Sequence, residues 1–261
     1  MSRIARVVTL VATAALAAVP AVAQDIEGHI RAGEAARCRR NAAEALEHFR
    51  AALAIDSLNY EANWRASQVL VDLGKVMPNS QRARRDSIYA EAQALAERAV
   101  RVNARGADGH YMIAVAVGRV ALTKGPRDRV RFARVVRDEA LRALELNPRH
   151  DGAMHVLGRW NAEIQRLPGV TKFFARTFLG ASIFNEATWE NARNYFQQAV
   201  NVDPQNIYHR LDFAETLVDM DRREEAIEQL RVLATLELGC DPQDAEHKRQ
   251  GAALLERLQR R

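Results

Sequence analysis

The chain has 261 residues, of which 48% are hydrophobic and 27% are charged, and only 6% are aromatic. This length suits one large domain or an array of repeats, and two cysteines exclude both a disulfide-rich scaffold and a cysteine-ligated metal site. The net charge is +5, and 34 of the 38 basic residues are arginines spread along the chain, which excludes a polybasic arm. Residues 24–150 carry +6 and residues 151–261 carry −3, a gradient too modest to favour nucleic acid as a partner.

The first 23 residues have the pattern of a secretory signal peptide. Arginines precede an apolar run over 7–19, and a small-residue Ala-Val-Ala sequence ends at Ala23. We therefore expect cleavage between Ala23 and Gln24 and export to the periplasm. The run is short for a membrane span, although a retained N-terminal anchor is the alternative.

Nearly every segment after Gln24 places apolar residues at helical spacing, which predicts an all-α fold. Four segments end alike, with apolar residues four and then three apart before an Asp or Asn; they are 45–56, 92–103, 136–148 and 192–204. A fifth copy begins at Ala226. Predicted first helices lie between the copies, over 58–73, 107–123, 151–166 and 206–220.

The repeated segments predict helical hairpins that stack. Small residues such as Ala192 allow close approach of the paired helix, and larger ones such as Phe196 fill the space to the next hairpin. One hairpin cannot bury its own apolar face, so the units are expected to stack into an α-solenoid with a right-handed superhelix. We predict one repeat domain over 24–261, with about five hairpins and a capping helix over 242–259, and a monomer.

The spacing resembles that of tetratricopeptide repeats, with Leu157-Gly158 in a first helix and Ala192, Phe196, Ala199 and Pro204 in a second. Residues 147–258 resemble the regulator of microtubule dynamics family more narrowly. The matching strings are Asn147-Pro148, 155–160, Leu167-Pro168, 173–175, 187–192, Tyr195-Phe196, Asp244, Lys248 and Leu254-Leu255. The segment His155-Val156-Leu157-Gly158-Arg159-Trp160 is the most specific of them.

The resemblance implies an interaction scaffold without chemistry of its own. We expect it to bind a protein or peptide in the concave groove, which first-helix residues line in such repeats. The repeat register places eight candidates there: Trp64, Gln68, Tyr111, Arg119, His155, Arg159, Tyr208 and Glu215. Aromatic and arginine side chains suit peptide recognition because they are rigid or carry several donors.

No motif of a catalytic or metal site is present. The seven histidines show no His-Glu-x-x-His spacing, and there is no phosphate-binding glycine loop, nucleophile elbow or Cys-x-x-Cys. We therefore expect no enzyme activity, no cofactor and no metal. Cys38 and Cys240 fall in the first and last hairpins, so two unpaired thiols are expected unless the superhelix curls fully or two chains meet.

Two features leave a second function open, that of an envelope-associated structural protein. Arg127, Arg131 and Arg134 form a stripe on one helix face, which is an ordinary solvated surface or a site for an anionic partner such as a lipid headgroup. The insert at 168–188 carries Phe173, Phe174 and Phe178, which either cap the core or form a docking patch for lipid or an outer-membrane complex.

Overall fold

The computed structural model describes residues 23–121, 125–169, 171 and 182–260. These residues contain eleven α-helices of at least 13 residues and no strand. The helices are α1 (23–38), α2 (Ala42–Ile55), α3 (Tyr60–Lys75), α4 (Arg82–Val102), α5 (Ala107–Ala121), α6 (Pro126–Leu146), α7 (Asp151–Arg166), α8 (Trp189–Val202), α9 (Ile207–Asp219), α10 (Arg223–Thr235) and α11 (Asp244–Gln259). The predicted all-α fold is confirmed.

Consecutive helices pair into antiparallel hairpins, α1 with α2, α3 with α4, α5 with α6, α7 with α8 and α9 with α10, and α11 packs on the last pair. Each hairpin also contacts the next one. One cluster of buried apolar residues spans α1 to α5 and another spans α7 to α11, and two smaller clusters that include Val130 and Ala140 of α6 lie between them. This arrangement is the predicted tetratricopeptide-like solenoid.

Glycines in first helices set the distance within a hairpin. A Cβ placed on Gly158 of α7 would lie 2.9 Å from the ring of Phe196 on α8, and one on Gly33 of α1 would lie 2.6 Å from the ring of Phe49 on α2. Both rings are almost fully buried. The hairpin therefore closes only because the first helix offers a gap the size of a methyl group to the aromatic ring of the second.

The Asp and Asn residues that end the repeated segments form the links between hairpins. Four links, over 56–59, 103–106, 147–150 and 203–206, are each four residues long. In every one, the first residue accepts a hydrogen bond from the backbone N–H two positions later; these residues are Asp56, Asn103, Asn147 and Asp203. Such a side chain replaces a backbone acceptor and turns the chain sharply after the helix. The same hydrogen bond from a backbone N–H to an Asp or Asn side chain therefore occurs in all four links between hairpins.

The two ends of the solenoid meet. Cys38, at the end of α1, and Cys240, just before α11, form a disulfide with their Cα atoms 4.1 Å apart. Lys75 Nζ lies 2.9 Å from Asp241 Oδ2, and Arg40 donates to the carbonyl of Gly239 at 3.3 Å. We call these three pairs the closing contact. The expectation of unpaired thiols is wrong, because five hairpins turn far enough to bring α11 back to α1.

Two predicted features lie outside the described residues, the apolar N-terminal run and the phenylalanines Phe173, Phe174 and Phe178. Among the helices that the structure does describe, none combines the length and the apolar character that crossing a bilayer requires.

Candidate binding site on the concave face

The first helices of successive hairpins bring polar side chains together near the superhelix axis. Arg159 on α7 donates a hydrogen bond to the hydroxyl of Tyr208 on α9, and its Nη1 lies 3.1 Å from Oδ2 of Asp212. The ring of His155 lies 4.6 Å from that of Tyr208. Tyr111 on α5 and Lys75 on α3 lie on the same side. We call these six residues the central cluster: Lys75, Tyr111, His155, Arg159, Tyr208 and Asp212.

Lys75 connects the central cluster to the closing contact. Its ammonium lies 3.0 Å from Asp72 and 2.9 Å from Asp241, and Arg37 lies 3.3 Å from Asp72 on the other side. Burial opposes the charge on Lys75, but the two carboxylates outweigh it and raise its pKa. Burial also opposes ionisation of Asp241, yet Lys75 lowers the pKa of that carboxyl. The group is therefore an ion network in which each charge depends on the others.

Burial also determines the state of the other central groups. It raises the pKa of the Tyr111 hydroxyl to about 12, so this phenol stays protonated at neutral pH. It opposes the charge on Asp212, but Arg159 and His155 outweigh it and lower the pKa of this carboxyl to about 2. The central cluster therefore combines a neutral phenol donor at Tyr111 with an ionised acceptor at Asp212.

A chain of four side chains joins α7 to α9. His209 Nε2 lies 2.9 Å from Asp151 Oδ2, and His209 Nδ1 lies 3.0 Å from His155 Nδ1. At the other end, His155 Nε2 lies 3.2 Å from Asp212 Oδ2. All three contacts connect the first helices of the fourth and fifth hairpins, so this chain holds one hairpin against the next.

The predicted groove residues fall into two groups. Tyr208 contacts both His155 and Arg159. Tyr111 packs against His150, with ring centroids 4.7 Å apart. Arg119 is near enough to Lys75 and Tyr208 to influence their ionisation. The exposed Glu215 is also near this group, since Asp212 and Arg159 influence the ionisation of its carboxyl. Trp64 and Gln68 are separate: Trp64 carries the guanidinium of Arg65 at 4.4 Å from its ring, and Gln68 is half-buried on the same helix. Their role as ligand contacts stays a prediction.

Sequence reasoning missed the acidic and basic partners that complete the site. Asp212 lies one helical turn after Tyr208, and Asp72 and Lys75 lie one and two turns after Gln68. Extending the repeat register by a turn along each first helix would have found them. No local signal identifies their partners, since Lys75 and Asp241 are 166 residues apart.

The described end of the insert, residues 182–188, packs on the core. Ile183 and Phe184 are buried against Trp160, whose indole Nε1 donates to the carbonyl of Ala133 at 2.8 Å. Arg137 pairs with Glu186, and both line a shallow cleft beside this segment together with Trp160. The stripe residues Arg127, Arg131 and Arg134 are all exposed on α6.

Two groups of carboxylate and imidazole side chains lie close enough to share a cation. They are Asp151, Asp203 and His209, and Asp241, Asp244 and His247. In the first group both nitrogens of His209 already have partners, and in the second the ammonium of Lys75 occupies Asp241. Neither group offers a free donor set, and we assign no metal to them.

The sequence model described as regulator of microtubule dynamics protein 1-3 matches residues 31–259. The chain belongs to this family. Regulator of microtubule dynamics protein 1 from Bos taurus is 26% identical over 155 residues, which are 59% of this chain and 48% of that protein. The Homo sapiens protein of the same name is 25% identical over 147 residues, 56% of this chain and 46% of that protein. The chain spans about half the length of these curated relatives.

Solved structures support the same architecture. A thermophilic tetratricopeptide protein of Thermus thermophilus superposes with a TM-score of 0.64 at 18% identity, covering 88% of this chain and 99% of that one. The pilF protein of Pseudomonas aeruginosa gives a TM-score of 0.55 at 15% identity, with 92% and 93% covered. At these identities the likeness shows the fold alone, a helical solenoid of the tetratricopeptide type.

Proposed function

We propose that this family member is an exported, non-catalytic scaffold that binds a protein or peptide segment on the concave face of its solenoid. The observation that carries the proposal is that Arg159 is held in place and is also partly exposed. Asp212 and Tyr208 hold its guanidinium in place and Glu163 lies 3.5 Å from its Nη2, yet 40% of its side chain stays exposed. A preorganised, partly exposed arginine binds backbone carbonyls or carboxylates of a ligand at little ordering cost.

Rigid helices on both sides favour such binding. The neighbouring rings of His155 and Tyr208 are packed, and Trp64 adds an aromatic surface further along the stack. A ligand would meet side chains whose positions are fixed before it arrives. The proposal assigns no reaction to them, in keeping with a fold used generally for interactions.

Export is supported by the N-terminal pattern and by the disulfide. Structural disulfides persist in oxidising compartments, of which the periplasm is one. The Cys38–Cys240 bond is therefore what an exported chain of this kind would carry. Fractionation of cells expressing the full chain, beside a variant lacking residues 1–23, tests this part: we expect only the full chain in the periplasmic fraction. Equal distribution of the two would contradict export.

Affinity capture from a cell-envelope extract tests the binding proposal. Arg159→Gln and Trp64→Ala should each lose partners that the wild type retains. Arg50→Gln is the matched control, because Arg50 is an exposed arginine on α2, the second helix of the first hairpin. Circular dichroism confirms that each variant is folded. If both concave-face variants keep every partner, recognition takes place elsewhere on the molecule.

The exposure of Arg127, Arg131 and Arg134 favours a second candidate function, contact with an anionic envelope surface. Flotation with vesicles containing an anionic phospholipid distinguishes the two. Binding at low salt that disappears at high salt, and in the triple glutamine variant of these arginines, would support it. Absence of flotation at low salt would remove it.

A further inference from the structure

The chain of contacts between α7 and α9 contains fewer hydrogens than it needs. It has three contacts, Asp151 to His209, His209 to His155, and His155 to Asp212. Each contact requires one hydrogen, and both ends are carboxylates, which only accept. Two neutral imidazoles carry one N–H each. A neutral histidine pair therefore satisfies two of the three contacts and leaves two acceptors facing each other in the third.

The two atoms of one such contact are buried without an aligned hydrogen bond. His155 Nε2 has none among the described residues, and Asp212 Oδ2, which forms an ion pair with Arg159 Nη1 at 3.1 Å, also has none, although the two atoms are 3.2 Å apart. A proton on His155 Nε2 would satisfy both atoms at once. Unpartnered polar atoms in a buried position are costly, so this position has a reason to take up a proton.

The folded His155–His209 pair cannot accommodate a second additional proton. With one extra proton, His155 carries hydrogens on both nitrogens, and His209 accepts at Nδ1 and donates from Nε2 to Asp151. Another proton would put a hydrogen on both Nδ1 atoms, which are only 3.0 Å apart. The folded pair therefore holds at most one extra proton, whereas two free histidines in the unfolded chain take two.

We propose that the folded His155–His209 pair binds at most one additional proton. As a result, the joint between α7 and α9 weakens as the pH falls below the range in which free histidines ionise. The joint carries Arg159 and Tyr208, so its loosening separates two residues of the central cluster. The proposal concerns the joint itself and holds whether or not a ligand binds the concave face.

The sign follows from counting protons. Unfolded histidines titrate near a pKa of about 6.5. Below that pH the unfolded chain binds two protons on this pair and the folded chain none or one, so acid favours unfolding. Burial lowers the pKa of His155 to about 4, against the opposing effect of Asp212, which agrees with late uptake of the one proton. Each proton of difference raises the unfolding constant about tenfold per pH unit.

The other charged and titratable groups around the pair come from three helices and the links beside them. They are His150, Asp151 and Arg159 from the start and body of α7, Asp203 from the link after α8, Tyr208 and Asp212 from α9, and His247 from α11, which stacks on Tyr208. Asp151 and Asp212 both have lowered pKa values, since His209 and Arg159 respectively outweigh the effect of burial. Both carboxylates therefore remain acceptors over the range in which histidines titrate.

An NMR titration of the imidazole nitrogens in the full oxidised chain tests the proton count. We expect His155 and His209 together to take up one proton between pH 7 and the onset of acid unfolding. Two protons taken up while the protein stays folded would overturn the proposal. So would a pair that stays neutral until the chain unfolds.

Asp212→Asn provides the sharper variant. An amide donates an N–H to His155 Nε2, so two neutral imidazoles then satisfy all three contacts. The folded pair should therefore take up no proton in an NMR titration of this variant. The pH slope of the unfolding constant is not the readout, because the substitution also removes the Asp212 carboxyl, which the unfolded wild type protonates near a pKa of about 3.9. Uptake of one proton by the folded pair of the variant would overturn the proposal, and if the variant does not fold, the wild-type titration decides.

His48→Gln is the matched control. His29 and His48 also face each other, Nδ1 to Nδ1 at 3.4 Å, but they are half-buried and pair with no carboxylate among the described residues. This variant should leave the proton uptake of the His155–His209 pair unchanged in the same NMR titration. A change as large as that in Asp212→Asn would contradict the assignment of the proton to the contacts between α7 and α9.

Discussion

Two contacts between hairpins are built in opposite ways. The joint between the second and third hairpins packs the ring of Tyr60 against Gly106, and its hydroxyl accepts a hydrogen bond from Gly109 N–H at 3.0 Å. The closing contact instead consists of a disulfide, an ion pair and one arginine hydrogen bond. The second and third hairpins are held by the fit of a ring against a glycine, and the distant ends are held by covalent and charged groups that tolerate a less exact fit.

Breaking the disulfide should have the largest effect on this comparison. The Cys38–Cys240 bond closes a loop of about 200 residues, and its loss should lower the free energy of unfolding by about 4 kcal/mol. Urea unfolding of Cys38→Ser/Cys240→Ser against the oxidised wild type measures it. If both proteins unfold at the same urea concentration, the closing contact adds no stability.

Removing the charge of Lys75 should come second. Lys75→Met leaves Asp72 and Asp241 without their shared cation, at a cost of about 3 kcal/mol. Since folding lowers the pKa of Asp241, its contribution is present above pH about 4 and is lost as pH falls through the folded value. The gap between variant and wild type should therefore narrow in acid. Arg50→Met, which removes the exposed Arg50–Glu91 pair, should cost at most about 0.5 kcal/mol.

Filling the gap at the neighbouring joint should have a smaller effect. In Gly106→Ala the new Cβ would lie 2.2 Å from the Tyr60 hydroxyl oxygen, and overpacking should cost about 2 kcal/mol. Gly118→Ala is the control, because its Cβ would meet only Val136 at 3.7 Å and alanine favours a helix. Thermal unfolding should show one variant less stable and the other unchanged or more stable. Equal values would mean that shape does not hold this joint.

Deleting one hydroxyl should give the smallest change. Tyr60→Phe keeps the ring but removes the acceptor of the Gly109 N–H, at a cost of about 1 kcal/mol. Hydrogen exchange of the Gly109 amide measures the local effect directly. Unaltered exchange would show that this bond does not contribute to the joint.

The same contrast explains what the sequence could predict. The helix spans and the stacking order follow from spacing within about fifty residues, because small residues, aromatic rings and Asp or Asn stops act on their neighbours. The closing contact depends on the total rotation accumulated over five hairpins. No local sequence pattern predicts that rotation. The central cluster falls between these cases: the register placed Tyr208 and Arg159 correctly on first helices, but their hydrogen bond and Asp212 depend on how two hairpins meet.

The four-residue links have a consequence for how such a chain can vary. They keep one length after Asp56, Asn103, Asn147 and Asp203, whereas the segments inside hairpins differ, with three residues before α2 and six before α4. A residue inserted in a link would rotate everything downstream and carry Cys240 away from Cys38. A residue inserted at a hairpin tip would only lengthen a surface loop. Insertions can therefore accumulate in the turns within hairpins, whereas the links between hairpins must keep their length of four residues.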